Sequence, residues 1–258
     1  MHDPDSPLLL NATPSRPVPA PLAKSSFAEG RLLDAVVSCE LAPGETISEA
    51  IAMERFGLTR AAARAALTRL GYDGWANPMA RAGWEILPVT GSLIGQVLEA
   101  RRVAEPSALS RIRLEKAQSD KLETLGGMIA AVRQQADPAA LATLDSFILD
   151  AEAALLNAAE GFTARHLRHL WQHTARIARH LAVEQAISAY RRDHAPALIT
   201  AALAGDGAAL AAARRGLIDM QEGVFLRALL KNEAALGPGS GPARRPTPPS
   251  AAQNGSTI

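Results

Sequence analysis

The chain has 258 residues, of which 48% are hydrophobic and 21% charged, and its formal net charge is +1 at pH 7. These totals fit a soluble globular protein with two modest domains, and they exclude a polycation that binds nucleic acid through bulk charge. No apolar run approaches the roughly 20 residues that span a membrane, and no secretory signal pattern is present. The single cysteine, Cys39, excludes an internal disulfide. We therefore expect a cytoplasmic protein.

The N-terminal stretch is rich in proline and has no helical period, so we interpret residues 1–25 as a disordered arm. Apolar side chains at three- and four-residue spacing then predict a helix over Phe27–Glu40, which a turn at Pro43-Gly44 follows. A short helix comes next and ends at Gly57, and Thr59 caps the helix after it.

The helix after Thr59 carries Arg60 and Arg64 four residues apart on one face, and two short strands are predicted around a turn near Asn77–Arg81. A short helix, a glycine turn, a second helix with cationic residues near its N-terminus and a β-hairpin form a winged helix-turn-helix. The second helix of this motif enters the major groove of DNA. From Arg55 to Arg81 five arginines accompany one acidic residue, so this window carries a charge of +4, which favours contact with phosphates.

After this first domain, residues 26–88, we predict an all-helical domain over residues 93–234 and a disordered tail over residues 237–258. Helical periods run through the second domain without a convincing strand. Six helices of this length predict an antiparallel bundle that can enclose a small ligand. The helices are predicted over residues 93–117, 119–135, 138–159, 163–182, 184–203 and 206–232.

The predicted fold class is mainly α, with an N-terminal winged helix-turn-helix followed by an all-α bundle. Several segments together resemble the GntR family of transcription regulators, in the FadR-like subfamily that carries an all-helical FCD ligand-binding domain. They are Leu41-Ala42-Pro43-Gly44-Glu45, Thr59-Arg60, Arg64-Ala65-Ala66-Leu67, Arg81-Ala82-Gly83 and Glu99-Ala100-Arg101-Arg102-Val103-Ala104-Glu105-Pro106.

The resemblance implies a DNA-binding regulator rather than an enzyme, a repressor or less often an activator, that binds a palindromic operator as a homodimer and responds to a small carboxylate metabolite. One of Arg101 and Arg102 is expected to pair with an acidic effector, or alternatively with Glu105. The residues expected at the DNA are Thr59, Arg60, Arg64, Arg55, Arg69, Arg81 and Gly83, and those expected at the effector are Arg101, Arg102, Asp145, Glu152 and His194.

Many FCD domains bind a divalent metal, but the matching positions of this chain are incomplete. Asp145 and His194 could be two of the ligands, whereas Leu149 and Gly216 stand where histidines would complete the site. A shifted register offers Glu152 and loses the aspartate. We therefore expect no metal and no other cofactor.

Two alternative functions remain open. One is a metal-dependent enzyme built in the bundle around Asp145, Glu152 and His194, and the other is a regulator that has lost its effector and retains a degenerate pocket. The histidines at 166, 169, 173 and 180 also allow two interpretations, an exposed basic stripe together with neighbouring arginines, or a metal- or pH-sensing cluster.

Overall fold

The structure is a computed structural model that describes residues 20–80, 83–135, 137–159 and 161–235. The remainder of the predicted arm, the predicted tail over residues 237–258 and Arg81 lie outside these residues. The predicted fold class is confirmed, because a winged helix-turn-helix precedes a bundle of helices. The elements are α1 (Ala20–Val37), β1 (Thr46–Ile47), α2 (Glu49–Phe56), α3 (Arg60–Tyr72), β2 (Ala76–Met79), β3 (Gly83–Ile86), α4 (Gly91–Leu109), α5 (Lys116–Val132), α6 (Pro138–Asn157), α7 (Gly161–His180), α8 (Glu184–Leu203) and α9 (Gly207–Ala235).

The first domain combines α1, α2 and α3 with a three-stranded antiparallel sheet in the order β1-β3-β2. In that sheet Thr46 lies opposite Glu85 and Ala76 opposite Ile86. Strand β1 was not predicted, because its two residues are too short to show an alternating pattern. Helix α1 begins at Ala20, so residues 20–25 are helical, whereas the sequence pattern placed them in the disordered arm.

The core of the first domain is the apolar side of α3 packed against α1 and the sheet. Burial follows the helical period of α3, since Ala63, Ala66, Leu67 and Leu70 are buried while the arginines between them are exposed. Burying a leucine side chain contributes about 1.5–3 kcal/mol. The core therefore fixes which face of α3 remains in solvent.

The second domain consists of α4 to α9, and its helices begin and end within a few residues of the predicted bounds, with one exception. Helix α4 ends at Leu109, whereas the pattern predicted that it runs to residue 117. Ser110 is its C-cap, and α5 begins after Glu115, whose side chain forms a capping box with Gln118. Apolar residues in the intervening loop, such as Ile112, pack into the core. Their spacing in the sequence resembles that of a helix.

The two domains contact each other through α7, which packs against α1. The ring of His173 on α7 stacks on Trp75 of the first domain at a centroid distance of 3.9 Å. One turn further along α7, the Arg176 guanidinium donates a hydrogen bond to the carbonyl of Leu87, just after β3. His173 and Arg176 are therefore buried in the joint between the domains, and the predicted exposed stripe does not include them.

Candidate nucleic-acid interface and interior charge cluster

The turn between α2 and α3 fixes the start of the second helix. Gly57 adopts the left-handed conformation at φ +64° and its N–H bonds the Met53 carbonyl, which ends α2. Thr59 then caps α3, because its hydroxyl accepts a hydrogen bond from the N–H of Ala62 at 3.3 Å. Arg60 is consequently the first residue of α3, with its side chain 78% exposed.

Every described arginine that we predicted at the DNA has a carboxylate partner. Arg64 donates from Nε and Nη2 to the two carboxylate oxygens of Glu49 on α2, at 2.6 and 3.1 Å. Arg60 Nε lies 3.7 Å from the same carboxylate. The charge of +4 predicted for residues 55–81 therefore overstates the local positive potential, because acidic residues from outside this segment pack against its arginines. The other pairs are Arg55 with Glu45 and Arg69 with Asp73, both at 2.8 Å.

The wing depends on a glycine. Gly83, at the start of β3, has φ +103°, and a Cβ at this position would lie 2.5 Å from the Ile47 carbonyl oxygen. Any larger residue would therefore push β3 away from β1. Among the residues predicted at the DNA, Gly83 thus has a structural reason to be glycine.

A cluster of charged side chains fills the centre of the bundle. The carboxylate of Glu105 on α4 accepts from Arg101 Nε at 2.7 Å and from Arg214 Nε of α9 at 2.6 Å. Arg214 Nη1 also donates to Glu152 of α6 at 2.7 Å, and Arg191 Nε of α8 lies 3.3 Å from the other oxygen of that carboxylate. We call these five residues the interior charge cluster. It joins four helices through two carboxylates.

Burial and charge act in opposite directions on the carboxylates of this cluster. Burial raises the pKa of Glu105, but the Arg214 and Arg101 guanidinium groups outweigh it and bring the pKa to about 2. The pKa of Glu152 is likewise lowered, because Arg191 and Arg214 outweigh its burial. Both carboxylates are therefore ionised at neutral pH, and the cluster has an excess charge of +1.

A small cavity of about 20 Å³ adjoins the cluster between α6, α8 and α9. Glu152, Arg191 and Arg214 contribute the charged part of its wall, and His194 lies at its rim, stacked on Tyr190 at 3.8 Å. A volume of this size holds about one water molecule. Arg214 Nη2 is buried and has no hydrogen-bond partner among the described residues.

The structure resembles solved structures of bacterial regulators. E. coli McbR/YncC matches with a TM-score of 0.63 and 15% identity over 80% of this chain and 98% of that one. A protein described as a transcriptional regulator GntR from Rhodococcus sp. RHA1 matches with a TM-score of 0.55 and 18% identity, over 79% of this chain and 98% of that one. The chain has the fold of GntR transcriptional regulators. No family model and no curated protein matches its sequence.

Within this GntR fold, two of the residues predicted at the effector, Glu152 and His194, line the cavity, whereas Arg101, Arg102 and Asp145 are not part of its wall. Arg101 pairs with Glu105, which is the structural alternative, and it does not line the cavity. Arg102 was expected at the effector but lies at the surface, where it bonds Asp219 and Glu222 of α9. It points outward because it follows the buried Arg101 on the helix and occupies the next face of α4.

Asp145 and His194, the two candidate metal ligands, have different hydrogen-bond partners. Asp145 accepts two hydrogen bonds from Arg192, at 2.9 and 3.0 Å, while the Nδ1 of the exposed His194 lies 2.8 Å from the Tyr190 carbonyl oxygen. Within the described ranges, no three His, Cys, Asp or Glu residues gather closely enough to hold a metal ion. None of the described helices is long and apolar enough to cross a membrane.

Sequence reasoning missed three residues that matter most for these sites. Glu49 is visible in the sequence only as the first residue of a short helix after the Ser48 cap, and its position opposite Arg64 depends on the packing of α2 on α3. Arg191 and Arg214 resemble surface arginines of amphipathic helices. No local pattern marks them, because their partners are distant in the chain.

Proposed function

We propose that the protein is a sequence-specific DNA-binding transcriptional regulator that acts as a homodimer on a palindromic operator and represses transcription. The observation that carries this proposal is the exposure of Arg60 and Arg64 on the first turns of α3, directly after a glycine turn. Cations at this position of a helix-turn-helix meet phosphates and base edges in the major groove. The resemblance in fold to bacterial transcriptional regulators supports the same assignment.

The proposal is tested with duplexes that the wild-type protein selects from a random-sequence pool. We expect a selected duplex to bind at least tenfold more tightly than random DNA, with an affinity that falls as salt rises. Arg64→Ala should reduce the preference for the selected duplex roughly 5- to 150-fold. Arg133→Ala, which removes the exposed arginine at the C-cap of α5, is the matched control and should bind like the wild type.

The outcome that contradicts a regulator is a wild-type protein that enriches no sequence from the pool and binds all duplexes equally. The dimer is checked on the same sample, because the selected sequences should contain two inverted half-sites and the complex should hold two chains per duplex. Sedimentation of the complex measures that ratio directly.

The effector is the second part of the proposal: a small carboxylate binds at the cavity beside the interior charge cluster and weakens DNA binding. The excess positive charge of the cluster and the unpaired Arg214 Nη2 favour an anion there. Because the cavity holds only about one water molecule, the helices must move apart to admit even formate or acetate.

Titration with formate, acetate and longer monocarboxylates tests this part. We expect one of them to raise the melting temperature, by an amount that grows with the logarithm of its concentration, and to weaken binding to the selected duplex 5- to 150-fold, the usual range of allosteric coupling. Arg191→Met should abolish the response without loss of DNA binding. A protein that responds to none of these acids would instead be a regulator with a degenerate pocket.

A further inference from the structure

The carboxylate of Glu49 has an unusual position for an acidic group at a candidate DNA interface. It belongs to the first residue of α2, yet both of its oxygens accept from Arg64 on α3. The two donors, Nε and Nη2, form one edge of the guanidinium plane. The pairing lowers the pKa of Glu49 through the hydrogen bond from Arg64, so the carboxylate is ionised at neutral pH.

Stability does not explain this pair. The Arg64 side chain is 66% exposed, and ion pairs between solvent-exposed side chains contribute little to folding. The consequence of the pair is geometric, because a side chain that could sweep a wide arc is held in one orientation by two hydrogen bonds. A bidentate contact fixes the plane of the guanidinium as well as its position.

A guanidinium has five N–H donors in one plane. Glu49 takes the edge formed by Nε and Nη2, which leaves the outer edge formed by Nη1 and the second Nη2 hydrogen. Nη1 of Arg64 has no acceptor among the described residues. In the major groove a guanine presents two neighbouring acceptors, O6 and N7. Two parallel donors on one edge of a guanidinium match these two acceptors.

We propose that Glu49 is a specificity-determining residue, which holds Arg64 so that its outer edge reads a guanine instead of turning to a phosphate. The proposal rests on the DNA-binding function proposed above. Arg60 lies 3.7 Å from the same carboxylate and is not hydrogen-bonded to it, so Arg60 is the cation left for the phosphate backbone. The negative charge of Glu49 also repels phosphates and keeps binding to random DNA weak.

The test compares Glu49→Gln with Glu54→Gln. Glutamine has one acceptor and one donor group, so it cannot accept from both Nε and Nη2 of Arg64. Glu54 is an exposed residue on the same helix and makes no ion pair within the described part of the chain, so its substitution removes the same charge without touching Arg64. Both variants should keep the melting temperature of the wild type.

Affinities are measured at one salt concentration for a duplex selected by the wild-type protein and for a random duplex. Glu54→Gln should raise both affinities by a similar factor and leave their ratio unchanged. Glu49→Gln should raise the affinity for random DNA and lower the ratio about tenfold or more. A new selection with Glu49→Gln should lose the preference for one G·C pair in each half-site.

If Glu49→Gln keeps both the affinity ratio and the base preference of the wild type, Glu49 acts only as a charge and the proposal is overturned. If the wild-type protein itself selects no sequence, the DNA-binding function fails, and the role of Glu49 fails with it. The two failures are distinct, because the second is seen before any variant is made.

Discussion

Arginine serves opposite purposes in the two domains. On α3, Arg60 and Arg64 are mostly exposed and share one carboxylate at the surface. In the bundle, Arg214 is 2% exposed and lies between Glu105 and Glu152, with both of its partners buried as well. The exposed arginines can exchange their carboxylate for a phosphate or a base, whereas Arg214 is held by two carboxylates in the interior.

The difference shows why charge alone does not mark a functional arginine. An exposed ion pair contributes little to stability, so its presence is compatible with binding. Breaking a buried pair leaves an uncompensated charge in the interior and costs about 3–5 kcal/mol, so the interior charge cluster holds four helices in one arrangement. Substitutions should therefore destabilise the protein most in the interior charge cluster and least at Arg64.

Glu105→Gln should give the largest effect, a decrease of about 3–5 kcal/mol in the free energy of unfolding, because Arg101 and Arg214 lose their shared carboxylate. Urea denaturation at pH 7 measures it, with the exposed Glu99→Gln on the same helix as the control. The native pKa of Glu105 is about 2, so its contribution is present above pH 4.5 and is lost as the pH falls toward 2. If Glu105→Gln is as stable as the wild type at pH 7, the contrast between buried and exposed arginine pairs is contradicted.

His173, at the joint between the domains, should make stability depend on pH. Burial, with a smaller effect of the neighbouring His169 and Arg176, lowers its native pKa to about 3, so the folded protein keeps the ring neutral. As the pH falls from 6.5 to 5, the unfolded chain gains the proton and the folded one does not. The free energy of unfolding should therefore fall by about 2 kcal/mol.

His173→Phe keeps a ring against Trp75 and cannot be protonated, so its stability should change less over this pH range than that of the wild type. His166→Phe, at an exposed position of the same helix, is the control and should follow the wild type. Equal pH profiles for all three proteins would show that the joint does not exclude the charged imidazole.

The pair of Asp145 and Arg192 is intermediate between the two cases, since its side chains are 27% and 17% exposed. We expect a coupling free energy of about 1 kcal/mol in a double-mutant cycle of Asp145→Asn and Arg192→Met. Thermal unfolding of the four proteins gives the value. A coupling as large as that of the buried cluster would remove the distinction between partly exposed and buried pairs.

Arg64→Ala should give the smallest effect on stability, a melting temperature unchanged from that of the wild type, although it should reduce the preference for a selected duplex roughly 5- to 150-fold. Its side chain is exposed and its partner Glu49 returns to solvent when the arginine is removed. Differential scanning calorimetry checks this beside the binding assay. A marked loss of stability would mean that the loss of DNA binding reflects unfolding.

The sequence by itself determined the order and approximate bounds of the helices and the helix-turn-helix, because their signals are local. Ser48 and Thr59 cap the two helices, Gly57 supplies the left-handed turn between them, and the period of α3 separates Leu67 from Arg64. Each of these signals acts over one or two turns of chain. They identify an element without knowledge of what packs against it.

Only the tertiary structure decided which charges are free and which are paired. Glu49 and Arg64 are 15 residues apart, and Glu105 and Arg214 are 109 apart, so their contacts exist only after the helices have packed. The burial of His173 depends in the same way on Trp75, in the other domain. The periodic pattern of a helix predicts that a side chain lies on its polar face. The neighbouring helix then decides whether that side chain contacts water or a carboxylate.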